Sequence, residues 1–363
     1  MLLARPGSLT PARGARTIRL VKPILRVWFL AFLGWCLAAG LVRAAAPALV
    51  IDDEDYVEQV AKASGVFMAA GRLVPAATLR AQVGNKAIAL TPLPLLKHKL
   101  DGPDLCDFLR GSVLALGSYY HCPDCGDWHF SGSAGFMVAD GIACTCCHVV
   151  LGEDEGIKES FLVAADAAGH VYPVRSVAAA DTASDTCFLR LEGCPLKPLP
   201  LRAEVRPGER VYCLSHPGGY YFMFTQGMIA RLNRRPNEVY DDKGRTNGTF
   251  TRPILFLNVT AEFAPGSSGA PVVDDAGNVV GQVASIADAG EPSAGDTNAP
   301  ASPSVPVRFC TASREIMSLF DGAASHRVGS GAGESPARRP PHRPKADSSR
   351  RPACPRSAVV QPR

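Results

Sequence analysis

An all-β fold is predicted, and three observations predict it. The chain of 363 residues is 47% hydrophobic and only 20% charged, long enough to bury a large core. It is rich in turn formers, with 34 glycines and 30 prolines, which favours many short strands over long helices. From about Cys106 onward its apolar residues come in short runs closed by Gly, Pro, Asn or Asp, at sandwich or barrel spacing.

The elements follow in order. Residues 1–46 carry seven basic residues and no acid, with an apolar run from Val27 to Val42 and then Arg43-Ala44-Ala45-Ala46. Basic, apolar, small is the order of a secretory signal; an uncleaved membrane anchor is the alternative reading. Either one takes the folded part out of the cytoplasm. Residues 47–104 read as a pre-segment: the stretch from Asp52 to Gly71 suits a short helix, and LTPLPLLKHKL is a proline-broken connector. Residues 105–322 are the main domain. Its clearest strand candidates are 112–118, 134–139, 185–191, 210–215, 254–260 and 278–285. A closing helix is expected over about 311–320, capped by Thr311 or Ser313, with Ile316, Leu319 and Phe320 on one face. Residues 323–363 are rich in Gly, Ser, Pro and Arg and are expected to be disordered.

Charge is segregated along the chain. The net charge is +4, but residues 1–46 hold +7 and residues 325–363 another +7, leaving the middle at −10. An acidic folded part excludes specific nucleic-acid binding, and only the basic tail suits an anionic polymer or envelope.

Three stretches carry chemistry. Gly266-Ser267-Ser268-Gly269-Ala270-Pro271 is a turn in which glycines let a substrate backbone come close to a serine. By itself it reads as a plain turn entering a strand. A serine hydroxyl attacks only with a base in reach, an acid to orient the base, and N–H groups for the oxyanion. Thr145-Cys146-Cys147-His148-Val149-Val150 offers the base, and the stretch from Asp181 to Gly193 offers the acid.

With Ala134-Gly135-Phe136 preceding them, these motifs resemble the trypsin-like serine peptidases of the chymotrypsin fold, nearest the bacterial secreted branch of HtrA and glutamyl-endopeptidase types. The resemblance covers roughly 105–322. It implies two antiparallel β-barrels packed side by side, His148 and Asp185 in the first and Ser268 in the second. It implies Ser268 as nucleophile, His148 as general base, Asp185 as orienting acid, and the N–H groups of Gly266 and Ser268 as oxyanion hole. Asp185 is preferred to Asp181 because the apolar run follows it directly, and the Gly-x-Ser-Gly register selects Ser268 over Ser267. Substrates would be proteins or peptides, with no cofactor. In the primary pocket, either Glu262 forms an acidic floor or it faces solvent while Phe263 fills the space. Ser285 falls on the strand that pairs with substrate backbone.

The chain departs from the family pattern at Cys146 and Cys147, where alanines are usual. No Asp precedes the expected nucleophile, so activation by a new N-terminus is not expected, and no PDZ domain is expected after the basic tail. Rival readings are a protease-fold binding module without catalysis, and a thiol oxidoreductase built on Cys122-Pro123-Asp124-Cys125. Twelve cysteines suit an oxidising compartment, ten of them between Cys106 and Cys310. Cys122 and Cys125 are expected to form structural disulfides, locally or with the Cys144–Cys147 group. The alternatives are zinc held with His129 and one of Cys144, Cys146 or Cys147, or a redox pair.

Overall fold

Twelve strands form two closed antiparallel barrels in the computed structural model, which describes residues 50–84, 86–152, 156–240, 246–289 and 305–320. The signal and tail readings lie outside the described residues. Among the described residues no helix is long and apolar enough to cross a membrane.

The first barrel comprises β1 (Val113–His121), β2 (Trp128–Ala139), β3 (Ile142–Thr145), β4 (Ser160–Ala165), β5 (Val171–Asp181) and β6 (Thr186–Leu191). Their order around the barrel is β1-β2-β3-β6-β5-β4, and β4 closes onto β1 with Phe161 opposite Tyr119. The second comprises β7 (Arg210–Ser215), β8 (Met223–Tyr240), β9 (Thr246–Val259), β10 (Pro271–Val273), β11 (Val279–Ala289) and β12 (Val305–Ala312). Counted from its own first strand it repeats the same order, and β10 closes onto β7 with Val272 opposite Cys213. Closure removes free sheet edges from both barrels.

Burial on both faces explains why the strands read as continuous apolar runs. On β1, Leu114 and Leu116 pack into the first barrel with Met137, Leu162 and Leu189. The alternate residues Val113, Ala115 and Tyr119 join a larger core with Phe136, Phe188, Tyr212, Leu214 and Ile316. That core lies between the barrels and under the pre-segment. The second barrel is filled by Val211, Ile229, Leu257, Val272, Val283 and Cys310.

The pre-segment packs as part of this unit. Helix α1 (Asp53–Ala69) is capped by Asp52, whose carboxylate accepts from Glu54 N and Asp55 N, and three acids fill its first turn. Its Tyr56 hydroxyl donates to Asp166 O at 2.9 Å, and Asp53 Oδ1 accepts from Tyr221 N at 2.9 Å. Helix α2 (Ala76–Arg80) buries Leu79 in the first barrel. Helix α3 (Gly102–Arg110) is capped by Asp101, carries Pro103 in its first turn and buries Leu105 and Leu109. Helix α4 (Cys147–Leu151) follows β3 directly.

The closing helix is shorter than expected. Helix α5 spans only Ser313–Met317 and has no side-chain cap. Thr311 belongs to β12, paired with Gln282 and Phe256, and Ser313 Oγ donates to Val279 O instead of capping. Ile316, Leu319 and Phe320 are all buried, as expected for one apolar face.

Candidate active site

The first barrel presents a histidine and an aspartate at the same place. β3 ends at Thr145, whose hydroxyl donates to Ala134 O at 2.8 Å, and the chain turns into α4 carrying His148. Asp185 sits in the turn between β5 and β6. Its Oδ1 accepts from His148 N at 2.9 Å, and its Oδ2 lies 2.6 Å from His148 Nδ1. Asp185 is 1% exposed and the His148 side chain 22%, so the outer edge of the ring faces the site. Burial pushes the imidazole towards neutrality. The Asp185 charge and hydrogen bond outweigh that and hold its pKa above the usual histidine value. Asp181 is used elsewhere: its carboxylate accepts from Ala183 N at 3.0 Å and from Arg252 at 2.9 Å.

Asp185 has a left-handed backbone, φ 54°. Its carbonyl accepts from Cys147 N at 3.2 Å and from Gln282 Nε2 at 3.0 Å, which holds that conformation. Gln282 comes from β11 of the second barrel, is fully buried, and also accepts from Cys144 Sγ. Sequence reading missed it, because a single glutamine inside a strand carries no motif.

The second barrel brings the serine turn against the first. Ser268 O accepts from Ala134 N and Ser133 Oγ of β2, both at 3.0 Å. Gly269 N donates to Val283 O at 2.9 Å. Two glycines are required here. Gly266 has φ 95°, and a Cβ there would lie 2.5 Å from His216 O; Gly269 has φ 86°, and a Cβ there would lie 2.3 Å from Ala134 O. Among the described residues, the N–H groups of Gly266 and Ser268 donate to no backbone or side-chain acceptor. Ser268 is half-buried and Ser267 fully buried. Among the described residues, no hydrogen bond joins the Ser268 hydroxyl to His148.

His216 supports this turn from below. Its Nδ1 accepts from Phe222 N at 2.9 Å, and its Nε2 donates to Leu114 O at 3.1 Å. Burial pushes its pKa down to about 4, so the ring is a neutral structural link between the barrels.

Of the pocket candidates, Glu262 points outward with its side chain 76% exposed, 3.8 Å from Arg308. Phe263 is 4% exposed and has the Arg308 guanidinium over its ring at 5.9 Å. Ser285 lies on β11 opposite Phe309, with Arg235 Nη2 at 3.4 Å from its hydroxyl.

Among the described residues no disulfide joins any of the ten cysteines between Cys106 and Cys310, so the expected bridges are absent. The strands aim them at different partners: Cys144 at Gln282, Cys146 at Val283 O, and Cys147 at Thr186 O. The first two lie beneath the His148–Asp185 pair rather than beside Cys122 and Cys125. Burial pushes the thiols of Cys144 and Cys146 well up, and at Cys147 a hydrogen bond with Cys187, then burial, does the same.

Residues 132–281 match the family model of the trypsin-like peptidase domain. The chain is similar to a probable periplasmic serine endoprotease DegP-like of Pseudomonas fluorescens, 28% identical over 153 residues covering 41% of this chain and 28% of that one. It is also similar to the serine protease Do-like HtrB of Bacillus subtilis, 32% identical over 106 residues, or 28% of this chain and 22% of that one. The chain thus spans about a quarter of the length of these curated relatives. Among solved structures it is similar to the Rv3671c protease of M. tuberculosis in its active form, at 19% identity and a TM-score of 0.45, covering 67% of this chain and 95% of that one.

Proposed function

We propose that this chain is an exported serine endopeptidase that cleaves proteins or peptides through an acyl-enzyme. The observation that carries the reading is the buried carboxylate of Asp185, hydrogen-bonded to both the backbone N and Nδ1 of His148, beside a glycine-flanked serine turn fixed to β2. Asp185 keeps the proton on Nδ1, which leaves Nε2 as the basic nitrogen. Nε2 takes the Ser268 proton as the hydroxyl attacks the scissile carbonyl, and the same proton passes to the leaving amine. The N–H groups of Gly266 and Ser268 receive the oxyanion. Water then repeats the sequence in reverse to free the acyl group. The outward Glu262 and buried Phe263 support a primary pocket for small apolar side chains, with Ser285 on the strand that pairs with substrate. Export rests on the signal-like order of residues 1–46, and the relatives described as periplasmic are in line with it.

A fluorophosphonate probe tests the reading. Purified protein labels at Ser268, and Ser268→Ala abolishes labelling and lowers turnover on the order of 10⁴-fold or more. Ser267→Ala still labels. Labelling that survives Ser268→Ala, or folded protein that never labels, refutes the assignment; the second result would leave a protease-fold binding module.

A further inference from the structure

The tip of the β1–β2 hairpin holds chemistry that the proposed peptidase does not use. Residues 122–127 reverse the chain tightly: Gly126 N donates to Cys122 O at 3.0 Å, and Cys122 N donates to Asp127 O at 2.8 Å. Gly126 takes φ 78°, a left-handed conformation that glycine adopts freely. This turn brings the two thiols of Cys122-Pro123-Asp124-Cys125 to one side. His129 lies four residues after Cys125, on β2 opposite Tyr120. Its Nε2 is 3.0 Å from Cys125 Sγ, and the Sγ atoms and the ring nitrogen all lie within 4.8 Å of one another.

We propose that the hairpin tip is a zinc site, with Cys122 Sγ, Cys125 Sγ and His129 Nε2 as ligands. Zn–S bonds of about 2.3 Å and Zn–N bonds of about 2.0 Å set tetrahedral ligand atoms roughly 3.5–3.8 Å apart, so small side-chain rotations suffice. Two thiolates and an imidazole suit zinc and disfavour magnesium or calcium, which take oxygen. The three protein donors leave a fourth coordination position, and Cys125 is exposed. Binding releases the two thiol protons to solvent, while His129 enters as the neutral ring. A disulfide between Cys122 and Cys125 would give the imidazole no role, whereas the metal uses all three groups.

Cys146, His148 and Asp185 also meet the same distance. There the Asp185 carboxylate engages Nδ1 of His148 and Cys146 Sγ donates to Val283 O, so that cluster is already committed. The hairpin ion would act at a distance, by bracing a strand pair. Behind it Trp128 stacks on Tyr119 at 4.7 Å and on Phe161 at 5.9 Å. Further along β2, Ser133 and Ala134 hold the Ser268 carbonyl.

The full chain, reduced and stripped with a chelator, is titrated with Zn²⁺ and with Co²⁺. One metal per chain is expected by elemental analysis. Cobalt should give a thiolate charge-transfer band and tetrahedral ligand-field bands. Cys125→Ser, at an exposed position, should abolish the charge-transfer intensity of its thiolate and weaken binding roughly tenfold or more; His129→Ala should weaken it similarly while leaving both thiolate bands. Cys146→Ser, the control, should leave the spectrum intact. Substoichiometric metal, an octahedral cobalt spectrum, a signal that follows Cys146, or a chain that re-forms a Cys122–Cys125 disulfide in the presence of zinc would overturn the site. Fluorophosphonate labelling is read separately, so loss of the metal site and loss of the peptidase reading are distinguishable.

Discussion

Asp185 occupies a left-handed backbone that costs a non-glycine residue roughly 1 kcal/mol. Two hydrogen bonds to its carbonyl and two to its carboxylate offset that cost, and the result is a carboxylate aimed at His148. The proposed base must be neutral to work, so kcat/KM should rise with pH through the raised value of His148. Asp185→Asn removes the charge that lifts the ring and leaves burial, which lowers it. The acidic limb of the kcat/KM profile should move to lower pH, and the plateau should fall on the order of 10⁴-fold, since an amide stabilises the wrong tautomer. A limb that stays in place would contradict the coupling. Stability follows the opposite sign. The pair's contribution is complete below the unfolded value near 6.5 and is lost as pH climbs through the raised one.

The proposed pocket depends on elements rather than on a single side chain. The loop leaving β9 puts Phe263 into the core of the second barrel, so the preceding residue, Glu262, falls outside it. Arg308 of β12 lies over the same ring, its guanidinium 5.9 Å from the centroid. Cleavage of a peptide library should therefore favour small apolar residues before the scissile bond, and Glu262→Gln should leave the preference unchanged. A switch away from Lys or Arg in that variant would restore the acidic-floor reading.

Legibility in the sequence tracked chemical contrast at this scale. The run 210–215 coincides with β7, because it is apolar and ends abruptly at a His-Pro-Gly-Gly turn. β8 and β9 were harder to bound, since their long ribbon carries Arg231, Arg234 and Arg235 beyond the barrel core. Helix α3 was missed although Asp101, Pro103 and the pair Leu105 and Leu109 mark its start and its buried face; it follows a proline-broken connector that masks the signal. The His148–Asp185 pair was legible because each residue stands in a fixed frame. Gln282 and His216 were not, because their roles arise only when two barrels meet.

At the scale of the whole molecule, α1 touches both halves. Tyr56 reaches the turn after β4 through Asp166, and its ring lies 4.6 Å from that of Tyr221 in the second half. Tyr56→Ala should lower stability by about 3 kcal/mol or more, by analogy with other buried aromatic truncations. Hydrogen exchange should rise together at residues 166–170 and 221–222. Faster exchange at only one of these places would mean that the helix decorates one barrel.

The attachment of α1 to both halves also bears on how the proposed endopeptidase is kept in order. The proposed chemistry, split across two bodies, is vulnerable to any drift between them, and a short stretch of chain ahead of the domain works here like the spine of a book. A cut inside the helix would let the pages part, since α1 holds Asp166 and Tyr221 at once.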